Sequence, residues 1–339
     1  MVKTDKHSQS ARLKHSQSSR LKHSKDDLRW ATNELVADWR AARLACERIA
    51  DIGCGIGLQS FSFRKKCRHV IGIDIDGSKI MKAKKNAGIL KFRNIEFFEG
   101  DALSPEMVEK CNDCEAIFLD PERDTTEDSR KVESIRPNIY TFLKTYEKIT
   151  DRIAIEFPPQ IKDVPLNCER EYASVDGKLN RLTLYFGPLK RCEKSAVVLP
   201  GRAVLLQDKS AALQRAASPQ KYLYEVDGAV HKAGLLPELC QETKTQVVHE
   251  GKFAFMTSKE KAESPFFRSS YRVLGTCKDD PRAVKAELRK CKAASVVIRF
   301  EVDPKEYWNV RKGFEQGLDG NRQVVLFDFD GLAVVCEKT

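Results

Sequence analysis

The segment Asp51–Gly57 limits the fold of this chain more than any other, because it carries three glycines at alternate positions. Residues without a Cβ atom allow a tight backbone turn and the close approach of a ligand. The apolar pattern around these glycines predicts a strand at Ile52, a helix over 58–66 and a second strand over Val70–Asp74. The sequence therefore predicts a β-α-β unit that binds a nucleoside-bearing ligand at its first turn.

Acidic residues accompany both predicted strands. Asp74 ends the second strand, where a carboxylate can accept hydrogen bonds from both hydroxyls of a ribose. Asp51 precedes the glycines and would repel a phosphate. The spacing Gly-x-Gly-x-Gly also differs from the Gly-x-Gly-x-x-Gly that binds a dinucleotide pyrophosphate. A nucleoside with a positive charge is therefore the predicted ligand.

Two further acids follow predicted strands. Asp101 lies in the segment 95–102, after the third strand, and Asp120 follows the fourth strand, Ala116–Leu119. These four elements, in this order, resemble class I S-adenosylmethionine-dependent methyltransferases. The resemblance implies S-adenosylmethionine as the cofactor. It also implies an α/β fold with a Rossmann-like, mostly parallel sheet that ends in an antiparallel hairpin, and Asp176-Gly177 between two alternating runs predicts that hairpin.

The resemblance also assigns roles at the strand ends. Asp51 and the glycine loop would position the methionine end of the cofactor, Asp74 the ribose and Asp101 the amine of the adenine. The predicted cofactor-binding residues are Asp51, Gly53, Gly55, Gly57, Asp74, Ile75, Asp101 and Ala102.

The residues after the fourth strand indicate the kind of methyl acceptor. Enzymes that methylate exocyclic base nitrogens usually carry Asp/Asn-Pro-Pro-aromatic here, and this chain has Asp120-Pro121-Glu122-Arg123, a partial match. We predict Asp120, Pro121 and Arg123 as catalytic, with Asp120 orienting the target nitrogen in line with the S–CH3 bond. The Arg123 guanidinium is also predicted to contact the substrate, since it can stack on a base or bind a phosphate.

Uracil C5 methyltransferases carry Asp-Pro-Pro-Arg at this position, which the chain also approaches. Those enzymes need a cysteine nucleophile after the fifth strand, whereas Phe157 is followed here by Pro158 and Pro159, and the next thiol is Cys168. Cys168 is not expected to be a nucleophile. The two prolines are explained as a rigid exit from the strand, but their place beside the fourth strand also suits a wall of the substrate cleft, so we assign them to substrate binding.

Charge is concentrated at the N-terminus. The chain of 339 residues has a formal net charge of +10, and residues 1–25 contain seven Lys or Arg against one acid. Lys6–Leu13 and Lys14–Leu21 form an eight-residue repeat that Lys22–Lys25 begins again. A disordered basic arm is favoured over a helix that forms on RNA. Nucleic acid is the natural polyanionic partner, although a basic composition alone can also reflect solubility.

A basic helix is predicted from Ser78, its N-cap, to about Leu90. Its lysines are interpreted as a solvated face in preference to an RNA site. The positions predicted to face the sheet are Ile80, Met81, Ala83 and Ala87, and those predicted to point outward are Lys79, Lys82, Lys84 and Lys85.

Eleven cysteines, an odd number, lie mostly in apolar or helical segments, which favours buried reduced thiols over a disulfide framework. Cys111 and Cys114 have metal-ligand spacing but no second pair or nearby histidine, so no metal is predicted. No apolar run approaches the length of a membrane span, and the N-terminus lacks the apolar core of a signal peptide. We expect a cytoplasmic protein without a membrane partner.

The predicted domains are a flexible arm over 1–28, a methyltransferase domain over 29–200, a connecting region over 201–265 and an α+β domain over 266–339. Two helices that alternate with four strands favour a ferredoxin-like arrangement in the last of these. The oligomeric state stays open.

The whole order resembles a family of predicted RNA methyltransferases with a C-terminal THUMP-like, ferredoxin-related module. The resemblance rests on segments 30–41, Asp51–Gly57, 119–124, 157–159, 184–188 and 222–225. It implies methylation of tRNA or rRNA at a base nitrogen. Two alternatives are an RNA-binding or assembly protein that keeps cofactor binding without turnover, and a methyltransferase of small molecules or proteins.

Overall fold

A computed structural model describes residues 21–24, 32–123, 135–161 and 164–339. The chain divides into two compact units. Unit 1 comprises Met1–Val175 and Asn180–Glu193, and unit 2 comprises Asp176–Leu179 and Lys194–Thr339. Most of the predicted N-terminal arm and the side chain of Arg123 therefore lie outside the described residues.

Unit 1 alternates strands and helices. Its helices are α1 (Glu34–Arg43), α2 (Leu58–Phe63), α3 (Gly77–Ile89), α4 (Pro105–Lys110) and α5 (Ile139–Tyr146). Its strands are β1 (Arg48–Ile52), β2 (His69–Asp74), β3 (Ile95–Glu99), β4 (Ala116–Leu119), β5 (Glu122–Arg123), β6 (Ile135–Arg136), β7 (Ile153–Phe157), β8 (Glu169–Val175) and β9 (Lys178–Tyr185). Strands β5 and β6 form a separate two-stranded pair.

The main strands of unit 1 lie in the order β8-β9-β7-β4-β1-β2-β3. β1 is parallel to both β2 and β4, β3 extends this parallel set beside β2, and β7 extends it beside β4. β9 then pairs with β7 in the antiparallel direction. The predicted mostly parallel sheet with an antiparallel end is therefore confirmed, and the turn at Asp176-Gly177 has the two positive φ angles, 50° and 73°, expected of a tight hairpin.

Side-chain caps fix where two helices of unit 1 begin. α1 begins at Asn33, whose side chain accepts a hydrogen bond from the Leu35 amide at 2.9 Å. The predicted cap of α3 was wrong, because Asp76 rather than Ser78 accepts the hydrogen bonds of the first turn. Met81 was expected to face the sheet but is 55% exposed. The buried positions of α3 are Ile80, Ala83, Asn86 and Ala87.

Unit 2 contains a seven-stranded sheet in the order β13-β14-β12-β15-β18-β17-β16. Its strands β10 and β11 pair with each other in the antiparallel direction. Its strands are β10 (Lys194–Leu199), β11 (Ala203–Leu206), β12 (Tyr222–Val226), β13 (Gln246–Glu250), β14 (Ala254–Ser258), β15 (Phe267–Lys278), β16 (Ala293–Ile298), β17 (Arg322–Phe329) and β18 (Leu332–Lys338). Its helices are α6 (Gly228–Ala233), α7 (Leu236–Thr243), α8 (Pro281–Lys290) and α9 (Tyr307–Glu315).

The C-terminal region differs from the predicted arrangement. Residues 201–265, expected as a connecting region, supply β12, β13 and β14 to the same sheet as residues 266–339. The last elements follow the order β-α-β-α-β-β, with β16 and β17 parallel, whereas a ferredoxin-like domain follows β-α-β-β-α-β. The ferredoxin-like and THUMP-like expectation is therefore not confirmed. The topology of this sheet depends on pairing between strands that are far apart in the sequence, such as β12 and β15. Such pairing has no local pattern from which it could be predicted.

Three negative findings apply to the described part of the chain. No helix there is long and apolar enough to cross a membrane. No group of three or more His, Cys, Asp or Glu side chains there could hold a metal ion. The eleven cysteines are free thiols.

Candidate active site

The glycine loop Asp51–Gly57 joins β1 to α2 and uses left-handed backbone at all three glycines, with φ of 74° at Gly53, 55° at Gly55 and 90° at Gly57. A Cβ atom on Gly53 would lie 2.2 Å from the carbonyl oxygen of Asp120, so only glycine fits where the loop passes the end of β4. A Cβ atom on Gly55 would meet nothing within 4 Å. The loop therefore touches β4 at one glycine and leaves open space for a ligand at the next.

Backbone hydrogen bonds join the ends of β1 to β4 at one edge of the sheet. The amide of Gly53 donates to the carbonyl of Ile73 at 2.8 Å, and the amide of Asp120 donates to the carbonyl of Ile52 at 2.9 Å. The amide of Gly100 donates to the carbonyl of Asp74 at 3.0 Å. The structure thus brings the predicted residues of four strand ends together, at the edge where α/β sheets bind ligands.

Asp51 is completely buried beneath the glycine loop. One of its carboxylate oxygens accepts a short hydrogen bond from the Ser60 hydroxyl, and the other, Oδ1, accepts none from any residue that the structure describes. Burial raises the pKa of Asp51 to about 7, although Ser60 and the positive charge of Arg40 lower it. A buried carboxylate with an unused oxygen suits a cationic group, so these residues fit the methionine end of S-adenosylmethionine.

Asp74 holds the glycine loop with both carboxylate oxygens. Oδ2 accepts the amide of Gly55 at 2.7 Å, and Oδ1 accepts the amide of Asp76 at 2.9 Å. Each oxygen keeps a further lone pair for a ribose hydroxyl. Ile75, the next residue, exposes 66% of its surface, which is unusual for an isoleucine and suits an apolar surface against an adenine ring.

Asp101 and Ala102 follow β3 as predicted. The Oδ1 atom of Asp101 accepts the amide of Leu103 at 2.9 Å, which fixes the turn and leaves the carboxylate exposed. The carbonyl of Ala102 accepts the hydroxyl of Tyr146 at 2.7 Å. Tyr146, a completely buried residue at the end of α5, therefore fixes the backbone of the predicted adenine site, and the sequence pattern did not indicate this role.

The acceptor side of the site begins at Asp120. Asp120 is half-buried, and Pro121 behind it is buried. Glu122 forms an ion pair of 3.1 Å with Lys79 of α3, and the backbone of Arg123 pairs with Ile135. The structure thus places Asp120 beside the glycine loop, whereas the side chain of Arg123 lies outside the described part of the chain.

The prolines after β7 lie one strand further along the sheet. Pro158 and Pro159 are both buried, and the Pro158 carbonyl accepts the amide of Ile161 at 3.1 Å. Because β7 is parallel to β4, these prolines follow the strand beside Asp120. Their burial agrees with the rigid exit from the strand, and their contact with a substrate stays a prediction.

A buried network around Arg40 supports the site from α1, and the sequence analysis missed it. The Arg40 guanidinium donates to the side chains of Gln59 at 2.8 Å, Glu156 at 2.9 Å and Thr183 at 3.1 Å. Arg181 adds an ion pair to Glu156 at 2.7 Å. Arg40 lies on the buried stripe of α1 with Val36, Ala37 and Ala41. An arginine within an apolar stripe was the available signal.

Comparison with known proteins agrees with this geometry. Residues 45–169 match a family model described as a methyltransferase domain. Over 85 residues the chain is 31% identical to a 23S rRNA (uracil(1939)-C(5))-methyltransferase of Vibrio parahaemolyticus. This aligned segment covers 23% of this chain and 18% of that protein. Over 79 residues the chain is 34% identical to an uncharacterized RNA methyltransferase of Halalkalibacterium halodurans. This aligned segment covers 23% of this chain and 17% of that protein. The chain thus spans less than a fifth of the length of these relatives.

The fold is also similar to the crystal structure of a proposed methyltransferase from Porphyromonas gingivalis W83. The TM-score is 0.78 at 16% identity, over 97% of this chain and 88% of that chain, so the likeness concerns the fold alone. With the matched family model and the acids around the glycine loop, we conclude that the chain contains an S-adenosylmethionine-dependent methyltransferase domain.

Proposed function

We propose that this protein transfers the methyl group of S-adenosylmethionine to RNA, at a base nitrogen of tRNA or rRNA. Three observations support RNA as the substrate. Both relatives named above are RNA methyltransferases, although only the segment of about 80 residues that they share with this chain supports the comparison. The net charge is +10, and residues 1–25 are strongly basic.

The single observation that carries the proposed reaction is the position of Asp120 against the glycine loop. The carbonyl of Asp120 lies so close to Gly53 that a Cβ atom there would be 2.2 Å away. In this position, Asp120 would accept a hydrogen bond from the target amine and turn its lone pair toward the methyl carbon. As the nitrogen forms its bond to the methyl carbon, the C–S bond would break, its electron pair would leave with S-adenosylhomocysteine, and the methylated nitrogen would release its proton to water. A methyl group on a sulfonium is already activated, so alignment rather than a strong base would supply most of the acceleration.

We propose nitrogen rather than uracil C5 as the acceptor, although one of the named relatives methylates uracil C5. That chemistry needs a thiolate nucleophile beside the base. Cys168, the first cysteine after β7, is 1% exposed, and burial raises the pKa of its thiol to about 11. A buried neutral thiol is not a nucleophile, so direct transfer to nitrogen fits these residues better.

The substrate side would be completed by Arg123, Pro158 and Pro159. Arg123 follows Asp120 by three residues, and a guanidinium can stack on a base or bind a phosphate. Pro158 and Pro159 follow the neighbouring strand, β7. These three assignments extend the proposal and are tested by the same assay.

Label transfer from methyl-labelled cofactor to unfractionated tRNA and rRNA tests this proposal. We expect Asp120→Ala to reduce transfer by roughly a thousandfold while cofactor affinity changes less than about threefold, because Asp120 contributes to alignment in the transition state. Asp113→Ala, which removes a carboxylate that is 72% exposed, is the matched control and should transfer normally.

The outcomes separate the alternatives. Full transfer by Asp120→Ala would remove the acceptor assignment. Binding of RNA and cofactor without any transfer by the wild type would favour an RNA-binding protein without turnover. Label in protein or small molecules rather than RNA would favour the third alternative. Mass spectrometry of the digested RNA then identifies the methylated atom, and a C5-methylated uracil would contradict the nitrogen assignment.

A further inference from the structure

Asn86 joins the N-terminal segment to the cofactor side of unit 1. It lies in the last turn of α3, and its side chain is completely buried. Its Oδ1 atom accepts the backbone amide of Lys22 at 2.6 Å, and its Nδ2 group donates to the carbonyl of Lys22 at 3.1 Å and to that of Ile56 at 3.4 Å. One asparagine therefore fixes Lys22 both to α3 and to the glycine loop.

This pairing explains a polar side chain in a buried position. A buried amide without hydrogen-bond partners is costly, and the backbone of Lys22 supplies both a donor and an acceptor. Lys22 begins the third, partial copy of the basic repeat, so the described part of that repeat contacts α3.

The α3 segment is itself basic without any acidic residue. Residues 77–94 contain six Lys or Arg and no Asp or Glu. Lys84 and Lys85 are exposed, and beside them on the helix surface lie Met81, 55% exposed, and Ile89, 42% exposed. A surface that mixes cations with exposed apolar side chains fits a ligand that presents both phosphates and flat apolar groups.

The α4 segment, on the other face of the unit 1 sheet, has the opposite charge. Right-handed crossover connections place α2 and α3 on one face of the sheet and α4 and α5 on the other. Residues 101–115, which contain α4, carry five Asp or Glu and one Lys. An approaching polyanion is therefore attracted to the α3 segment and repelled from the α4 segment.

We infer that α3 and the segment fixed to it by Asn86 form an RNA-binding surface, here called the α3 surface and defined by Lys22, Met81, Lys84, Lys85 and Ile89. It would hold the RNA backbone beside the glycine loop while a nucleotide reaches Asp120. This inference rests on the proposed function, since it takes RNA as the substrate. It differs from the sequence-based interpretation of these lysines as a solvated face, because Asn86 fixes a further basic residue, Lys22, to the same helix.

Equilibrium binding of a labelled, mixed-sequence, single-stranded RNA to the full-length protein at several salt concentrations tests the inference. We expect Lys84→Ala with Lys85→Ala to weaken binding roughly tenfold at low salt and to reduce the log–log salt slope by about 1.4, the value for two lost phosphate contacts on a single strand. Lys144→Ala with Lys148→Ala removes two exposed lysines at α5, on the opposite face, and should change neither quantity. Equal effects of the two pairs would overturn the inference.

A second comparison isolates the Asn86 contact. Lys22→Pro removes the backbone amide that donates to Asn86, whereas Lys22→Ala removes only the side-chain charge. We expect the proline variant to bind the RNA several-fold more weakly than the alanine variant, and equal affinities would remove the anchoring role. Competition by polyglutamate or anionic vesicles as strong as that by unlabelled RNA would overturn the assignment to RNA. Cofactor titration and label transfer by the wild type report on the proposed function separately, because RNA binding is measured here without turnover.

Discussion

Asp51 links proton release to ligand binding at the centre of the site. Burial raises the pKa of this carboxyl from its ordinary value to about 7, so a large fraction is protonated at neutral pH. A cationic ligand beside the unused Oδ1 atom favours the ionised form and therefore lowers that pKa when it binds.

The affinity for S-adenosylmethionine should consequently rise with pH. With a free-state pKa of about 7, affinity should increase about tenfold between pH 6 and pH 8, because the proton no longer has to be released on binding at the higher pH. Calorimetric titration across this range measures the effect. Asp51→Asn should bind more weakly and lose most of the slope, whereas an unchanged slope in that variant would show that Asp51 does not titrate on binding.

Two glycines of the loop separate steric contact from backbone strain. Gly53→Ala places a Cβ atom 2.2 Å from the Asp120 carbonyl oxygen, whereas Gly55→Ala meets nothing, and both residues have positive φ. Gly55→Ala should therefore cost about 1 kcal/mol of unfolding free energy, and Gly53→Ala should cost at least about 2 kcal/mol more, since the end of β4 must move. Denaturant titration of both variants checks the difference. Equal costs would contradict the contact between loop and β4.

At the scale of elements, α1 depends on the ion pair between Arg40 and Glu156. Both side chains are almost completely buried, at 1% and 2% exposure. Glu156→Gln leaves Arg40 and Arg181 without their carboxylate and should destabilise unit 1 by about 3 to 5 kcal/mol. Glu47→Gln removes the partner of Arg68 in an ion pair whose members are 84% and 67% exposed, and should change the denaturation midpoint very little. A small effect of Glu156→Gln would show that the Arg40 network does not stabilise α1.

The sequence predicted the elements whose pattern is local. The strand that ends at Asp74 and the strand that Asp120 follows are continuous apolar runs, and the hairpin at Asp176-Gly177 has its signal in two adjacent residues. The pairing of β12 with β15 joins residues about 45 positions apart, and nothing near Tyr222 encodes it. Register and partner choice in such a sheet depend on tertiary packing, which explains why the C-terminal topology was not predicted.

The candidate site shows the same division. Acids and glycines follow strands in the sequence itself, so their convergence at one sheet edge followed from parallel topology. Tyr146 and Asn86 act through backbone carbonyls or amides contributed by distant segments. In the sequence, these two residues are recognisable only as a bulky and a polar side chain on the predicted inner side of a helix. That pattern does not indicate which backbone group each of them contacts.

At the scale of the whole molecule, the central proposal is that the carboxyl edge of the unit 1 sheet binds S-adenosylmethionine. Isothermal titration of S-adenosylhomocysteine, the demethylated product, into the full-length protein tests this directly. We expect one site per chain in the wild type, and a loss of at least about tenfold in affinity for Asp74→Ala, because Asp74 holds Gly55 and is the residue predicted to bind the ribose. Absence of heat with the folded wild type, or full affinity in Asp74→Ala, would contradict the central claim.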